Sequence, residues 1–118
     1  MDISQMISHE KGDMLFREND PAQYFYVLLN GRVKLGVGES EEMVYDVRKN
    51  GEAFGWSSLI GRDDYSASAE CIEPAKLLKT DSKKLQKILE ADPANGIIFL
   101  KQLAATLGNR LIESYKKI

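Results

Sequence analysis

The segment YFYVLLNGRVKLGV, residues 24–37, decides the fold class of this chain. Its first six residues are aromatic or aliphatic, and the residues from Arg32 to Val37 alternate polar with apolar side chains. Runs of this kind are typical of β-strands. An Asn-Gly pair between two such runs favours a hairpin, because both residue types tolerate a positive φ. We therefore predict two strands joined by a tight turn at Asn30-Gly31.

Similar short apolar runs extend in both directions from this segment, separated by Gly, Asn, Asp or Pro. The further predicted strands are Met14–Phe16 and residues 43–47, 66–72 and 75–79, with Glu73-Pro74 joining the last two. A series of short strands with frequent turn residues is typical of a β-sandwich or β-barrel. The first two-thirds of the chain is therefore predicted to be a β domain.

The last third of the chain changes to a helical period. Thr80-Asp81-Ser82 forms a good N-cap region, and the apolar residues that follow recur at helical spacing, which predicts a short helix at about residues 82–90. Asp92-Pro93 combines a capping residue with a proline at the first helical position. This pair predicts a longer helix at about residues 93–118.

The longer helix carries an apolar stripe with three-four spacing. Its members are Ile97, Leu100, Ala104, Leu107, Leu111 and Ile118. A helix of this length spans roughly 39 Å at the usual rise per residue, which is about the full diameter of such a domain. We therefore expect the stripe to form a homodimer interface. The alternative is that it packs on the chain's own strands as the lid of a pocket.

The composition limits the possible functions. A length of 118 residues indicates one domain, and 43% apolar with 29% charged residues is usual for a soluble globular protein. The formal charge of −2 argues against direct nucleic-acid binding. One histidine and one cysteine cannot build a metal site from several such ligands. We predict no metal, no cofactor and no enzymatic activity, because no carboxylate pair has a companion suited to acid–base catalysis.

The location of the protein is predicted from what the sequence lacks. No run of 18 apolar residues is present, so we expect no membrane span. The first residues lack the basic and apolar regions of a signal peptide. A single cysteine excludes an internal disulfide. We therefore expect a cytoplasmic protein.

The candidate binding site lies in FGWSSL, residues 54–59, and in DYSA, residues 64–67. A glycine turn here opens a predicted single helical turn with two hydroxyls at its start. Unpaired backbone N–H groups at such a place suit an anion. The candidate ligand-binding residues are Phe54, Gly55, Trp56, Ser57, Ser58, Tyr65, Ser66 and Ala67.

Three segments resemble the cyclic-nucleotide-binding domain of catabolite-activator-type regulators and regulatory kinase subunits. Residues 11–20 resemble the family's K-G-x-x-L-F-x-E-G-D opening, with Asn19 in place of a glycine. Residues 26–34 resemble its Y-x-I-x-x-G-x-V-K hairpin, and residues 51–55 its G-x-x-F-G entry to the phosphate-binding cassette. The resemblance covers nearly all of residues 1–118. It implies a mainly-β fold with a C-terminal α region, in which an antiparallel, jelly-roll-like β-roll at about residues 8–80 is closed by the two helices.

Two departures from the family pattern bear on the ligand. The resemblance places Trp56 where the family carries a glutamate that accepts a hydrogen bond from the ribose, and Tyr65 where it carries the arginine that neutralises the phosphate. An indole only donates, and a phenol has no positive charge. We therefore predict a sensor for a different small molecule, anionic or aromatic, that does not bind cyclic AMP or cyclic GMP in the usual pose. Arg62, a candidate substitute cation, is expected to face water.

Trp56 leaves two interpretations open. The indole forms one wall of a pocket for a small-molecule effector, or it plugs the pocket and leaves a ligand-blind dimerisation or protein-interaction domain. The hydroxyl of Tyr65 is expected to point toward water or Ser57. In the resembling family a ligand in the roll repositions the closing helix, and that helix forms the dimer contact. An effector and a second copy of the chain are therefore the partners that the resemblance implies.

Overall fold

The structure is a computed structural model that describes residues 4–40 and 42–116. The strands of this part of the chain are β1 (Ser4–His9), β2 (Met14–Phe16), β3 (Tyr24–Val37), β4 (Glu42–Val47), β5 (Ala53–Phe54) and β6 (Ser68–Asp81). A single 3₁₀ turn, Ser57–Ile60, lies between β5 and β6. The helices are α1 (Ser82–Ala91) and α2 (Pro93–Lys116).

The strands form an antiparallel sheet in the order β1-β6-β3-β4, with β2 added on β6 and β5 added on β3. The two long strands, β3 and β6, pair along almost their whole length and form the spine of the roll. Their inward side chains form the core with residues of the shorter strands. The predicted fold class, an antiparallel β-roll closed by C-terminal helices, is confirmed.

The predicted hairpin at Asn30-Gly31 and the predicted break at Glu73-Pro74 are both wrong. Each pair lies inside a continuous strand, and the two places face each other across the β3–β6 ladder, where the register shifts. Gly31 has φ +110°, and a Cβ there would lie 2.4 Å from the carbonyl oxygen of Pro74. The glycine with positive φ therefore allows two long strands to approach closely and does not form a turn.

Both predicted helix starts are confirmed by capping contacts. The Asp81 carboxylate accepts a hydrogen bond from the Lys84 amide at 3.0 Å, and α1 follows it. The Asp92 carboxylate accepts from the Asn95 backbone amide at 3.4 Å and from the Asn95 side-chain amide at 2.7 Å, and α2 begins at Pro93. The bonds from the two backbone amides satisfy N–H groups at the helix starts that lack intrahelical partners.

Helix α2 faces the roll through residues outside the predicted stripe. Leu103 is buried, and Phe99 meets Phe25 edge to face with ring centroids 6.2 Å apart. Ile97 and Leu100 are 55% and 52% exposed. Ala104 is also exposed, whereas the side chains of Leu107 and Leu111 and the whole of Ile118 lie outside the described residues. The first half of the stripe thus points away from the chain's own strands.

Candidate ligand-binding cleft

A cleft of about 250 Å³ lies where the end of β3, the 3₁₀ turn, the segment before β6 and helix α2 meet. Six of the eight candidate residues line it: Gly55, Trp56, Ser57, Tyr65, Ser66 and Ala67. Its other lining residues are Phe16, Leu35, Val37 and Arg110. Most of the wall is therefore apolar or aromatic.

The two remaining candidates lie elsewhere. Phe54 is fully buried and stacks on Tyr26, with ring centroids 5.4 Å apart. Ser58 faces a different cleft beside Arg62, and its carbonyl oxygen accepts a hydrogen bond from the Gln86 side chain at 3.0 Å. Arg62 is exposed, as predicted.

The glycine turn that opens the site depends on Gly55. This residue has φ +73°, and an added Cβ would lie 3.1 Å from the Phe16 ring and 3.2 Å from the Tyr26 ring. A side chain at this position would therefore be strained in conformation and crowded against two rings. The backbone then enters the 3₁₀ turn, where the Leu59 amide donates to the Trp56 carbonyl oxygen at 3.0 Å. The single helical turn predicted here is confirmed.

Tyr65 belongs to the core as much as to the cleft. It is 3% exposed, and its hydroxyl donates to the Tyr24 carbonyl oxygen at 2.6 Å and accepts from the Tyr24 amide at 3.2 Å. The expectation that this hydroxyl points to water or to Ser57 is therefore wrong. Burial raises the pKa of the phenol, so the residue stays neutral. The position offers a ligand no positive charge.

Trp56 forms a wall of the cleft. Its indole is partly exposed, and its Nε1 is buried without a hydrogen-bond partner in the part of the chain that the structure describes. The guanidinium carbon of Arg110 lies 5.6 Å from the centroid of the Trp56 ring system. The cleft is thus bounded on this side by an aromatic ring with a cation beside it.

Arg110 is the functional candidate that the sequence interpretation missed. Its Nη2 donates a hydrogen bond to the Ala53 carbonyl oxygen, and its Nε lies 3.7 Å from Glu52 Oε1. The Tyr45 hydroxyl donates to the same oxygen of Glu52. The guanidinium carbon also lies 4.6 Å from the Tyr45 ring centroid. The only available signal was an arginine on the closing helix of a chain in which Tyr65 stands at the position of the cassette arginine.

This ion pair is largely withdrawn from water. The side chains of Arg110 and Glu52 are only 14% and 10% exposed. A buried pair interacts more strongly than an exposed one, and removing one partner leaves an uncompensated charge. Arg110 therefore both anchors α2 to the roll and brings a positive charge to the cleft.

Comparison with known proteins identifies the family. The model of the cyclic nucleotide-binding domain matches residues 6–92, which is most of the chain. The chain belongs to this family.

Individual relatives agree with this assignment. A global nitrogen regulator of Synechococcus elongatus is 31% identical over 107 residues, which cover 87% of this chain and 48% of that protein. A solved cyclic nucleotide-binding domain from Methylobacillus flagellatus is 25% identical with a TM-score of 0.86, covering 98% of this chain and 66% of that one.

The fold extends to more distant regulators. The c-di-GMP-responsive global regulator CLP of Xanthomonas campestris has a TM-score of 0.84 at 19% identity, covering 98% of this chain and 57% of that one. The present chain spans less than half the length of the curated relatives it matches. The comparisons thus show that the chain shares the cyclic nucleotide-binding domain with these regulators.

No helix in the ranges 4–40 and 42–116 is long and apolar enough to cross a bilayer. The same ranges hold no group of three or more His, Cys, Asp or Glu side chains that could bind a metal ion.

Proposed function

We propose that this chain is a non-enzymatic sensor module that binds a small effector other than cyclic AMP or cyclic GMP in their usual pose. The observation that carries this proposal is the open cleft beside Trp56. If the indole were a plug, the space next to it would be filled. A cleft with aromatic walls and one cation suits a compact ligand that joins an apolar body to an anionic group.

The cleft is poorly suited to a cyclic nucleotide. Its volume of about 250 Å³ falls just below the range of about 300–1,000 Å³ usual for drug-sized ligands. Trp56 supplies no carboxylate for a ribose hydroxyl, and the hydroxyl of Tyr65 is already bonded to Tyr24. Loss of two charge-assisted hydrogen bonds, each of about 1.5–3 kcal/mol, would weaken nucleotide binding by on the order of a hundredfold or more.

Regulation by a ligand also fits the relatives. One of them is by name a global nitrogen regulator, and another is a regulator that responds to c-di-GMP. By analogy we assign this chain a regulatory role in the cytoplasm, in which an effector in the cleft acts on a partner through α2.

Helix α2 supports a homodimer as the working form. Ile97 and Leu100 expose more than half of their surface, while Leu103 on another face of the same helix is buried against the roll. Pairing of two copies along the stripe would cover this apolar surface. A ligand-blind dimerisation or protein-interaction domain is the second candidate function, and the same exposed stripe is the observation that favours it.

Native mass spectrometry of the purified protein, followed by titration with cyclic AMP, tests these proposals. We expect a dimer mass and no saturable thermal shift with cyclic AMP. A retained small molecule, identified by comparison with the mass of the denatured chain, would name the effector. Tight stoichiometric binding of cyclic AMP would contradict the sensor proposal in this form. A dimer whose cleft responds to no small anion or aromatic compound would favour the ligand-blind alternative.

A further inference from the structure

We infer that Arg110, supplied by α2, binds the anionic group of the effector, and that Glu52 competes with the effector for it. This inference rests on the sensor function proposed above and adds to it the recognising residue and the class of ligand. The ligand class is a carboxylate or phosphate group attached to an aromatic or apolar body.

The first argument is position. Among the described residues that line the cleft, Arg110 is the only one with a charged side chain. It also lines a neighbouring cleft of about 230 Å³, whose wall contains Tyr45 and Glu52. Arg110 therefore lies between the proposed ligand on one side and its present carboxylate partner on the other.

The second argument is unused hydrogen-bonding capacity. A guanidinium carries five N–H donors. Arg110 Nε has no hydrogen-bond partner among the described residues, because Glu52 Oε1 at 3.7 Å is beyond hydrogen-bonding distance. That oxygen already accepts the Tyr45 hydroxyl. Donors remain for an incoming carboxylate or phosphate, which arginine binds with two parallel hydrogen bonds.

The third argument is the environment of the charge. The guanidinium lies near the rings of both Tyr45 and Trp56, at 4.6 and 5.6 Å from their centroids. Aromatic faces attract a cation and exclude water from it, so an anion placed beside it would interact more strongly than at an exposed arginine. Of these two rings, Trp56 lines the proposed cleft and presents an apolar surface to the rest of the ligand.

Competition follows from the two positions. Glu52 directly precedes β5, whereas Arg110 lies on α2. An anion bound to Arg110 would share the charge that now attracts Glu52 and so weaken one tie between α2 and the roll. Occupancy of the cleft would thereby change how firmly the helix is held.

The chain provides its own reporter for a test. Trp56 is the single tryptophan in the sequence, so its fluorescence reports on this cleft alone. The probes are benzoate and phenyl phosphate, with benzamide as the neutral counterpart of benzoate. The variants are Arg110→Gln, Arg110→Lys and Glu52→Gln. Arg62→Gln is the matched control, since it removes the same charge from an exposed site on a different cleft.

We expect both anions to change Trp56 emission in the wild-type protein and to bind with higher affinity than benzamide. Arg110→Gln should weaken anion binding by about tenfold to a hundredfold, the range expected for loss of a charge-assisted hydrogen bond. It should leave the affinity for benzamide unchanged. Arg62→Gln should bind both anions as tightly as the wild-type protein. Glu52→Gln should tighten anion binding several-fold. Preference for benzoate over phenyl phosphate, or the reverse, distinguishes a carboxylate effector from a phosphate effector.

The possible failures are distinguishable. Equal anion affinities in wild type and folded Arg110→Gln would overturn the role of Arg110 while leaving the sensor function intact. An unchanged affinity in Glu52→Gln would overturn the competition. If circular dichroism shows that Arg110→Gln is unfolded, Arg110→Lys decides, because lysine keeps the charge but loses the two-pronged geometry and should bind anions more weakly than wild type. No response of wild type to any probe would overturn the sensor function and this inference together.

Discussion

The ring of Tyr65 stacks on the ring of Phe16, with centroids 3.7 Å apart and planes within 14°. At this cassette position the family's usual arginine would face a phosphate, and here a neutral ring completes the core instead. The change therefore removes a charge from the binding site and adds packing to the interior. A ligand that needs a cation must find it on another element of the fold.

The first prediction concerns the Tyr65 hydroxyl. Tyr65→Phe keeps the stacked ring but leaves the amide and carbonyl of Tyr24 without their side-chain partner. We expect the free energy of unfolding to fall by about 1–3 kcal/mol, because buried polar groups would lose a hydrogen bond. Urea denaturation measures this. Tyr24→Phe is the control, since no hydrogen bond joins that hydroxyl to the described part of the chain, and an equal loss in both variants would contradict the assignment.

The second prediction separates steric from conformational effects at two glycines. Gly31 and Gly38 both have positive φ. A Cβ added at Gly31 would lie 2.4 Å from a backbone atom of Pro74 and 2.7 Å from one of Ala75, whereas a Cβ added at Gly38 would have no atom within 4 Å. Gly38→Ala should cost about 1 kcal/mol from strain in φ. Gly31→Ala should cost several kcal/mol in total, because two strands must move apart. Thermal melting of both variants tests this, and similar melting temperatures would show that β3 and β6 are not in close contact here.

The third prediction concerns pH. Burial raises the pKa of the Cys71 thiol from 9.0 to about 11, and its side chain is fully buried. Between these values the unfolded chain loses a proton that the folded chain keeps. Stability therefore falls as the pH rises above about 9, with a contribution of about 1.4 kcal/mol per pH unit from this group.

Cys71→Ala provides the comparison for this prediction. The variant removes the thiol, so its stability should decline less steeply between pH 9 and 11, while the contributions of tyrosines and lysines cancel in the difference. Parallel pH profiles for the two proteins would refute the raised pKa. The native wild-type thiol should also fail to react with a thiol reagent until denaturant is added.

The fourth prediction tests the dimer surface. Leu100→Glu places a charge in the exposed stripe of α2 and should convert the proposed dimer to a monomer, because a charge would be buried in an apolar interface. Ala105→Glu adds the same charge at an exposed position on another face of the same helix and should leave the dimer intact. Sedimentation equilibrium measures both masses. A monomeric wild type, or equal behaviour of the variants, would count against this interface.

Local signals were sufficient for many parts of the fold. The capping residues Asp81 and Asp92, and the glycine turn at Gly55, act on neighbouring backbone groups, and the structure places each as predicted. Asn30-Gly31 does not form the predicted turn, because strand pairing with distant residues overrides a local turn preference. Strand β1 escaped prediction since SQMISH is largely polar and has no clear alternation.

The candidate site was predictable only where it is local. Trp56 and Ser57 are adjacent in sequence to the glycine turn, so the cassette pattern indicated them. Arg110 reaches Ala53 across 57 residues, and no local pattern connects them. Its role depends on where α2 crosses the roll, which is a property of tertiary packing. The neutral, buried environment of Tyr65 likewise follows from its packing on Phe16.

The pairing of β1 with β6 determines when this domain can be completed during synthesis on a ribosome. Ser4 lies opposite Thr80 and His9 opposite Ala75, so the first of the described strands to be synthesised pairs with the last of them. Until then β1 has no partner in its final register, and an apolar strand in that position would be prone to associate with neighbouring nascent chains. The largely polar composition of SQMISH lowers this risk of association while β1 is exposed to water and β6 has not yet been synthesised.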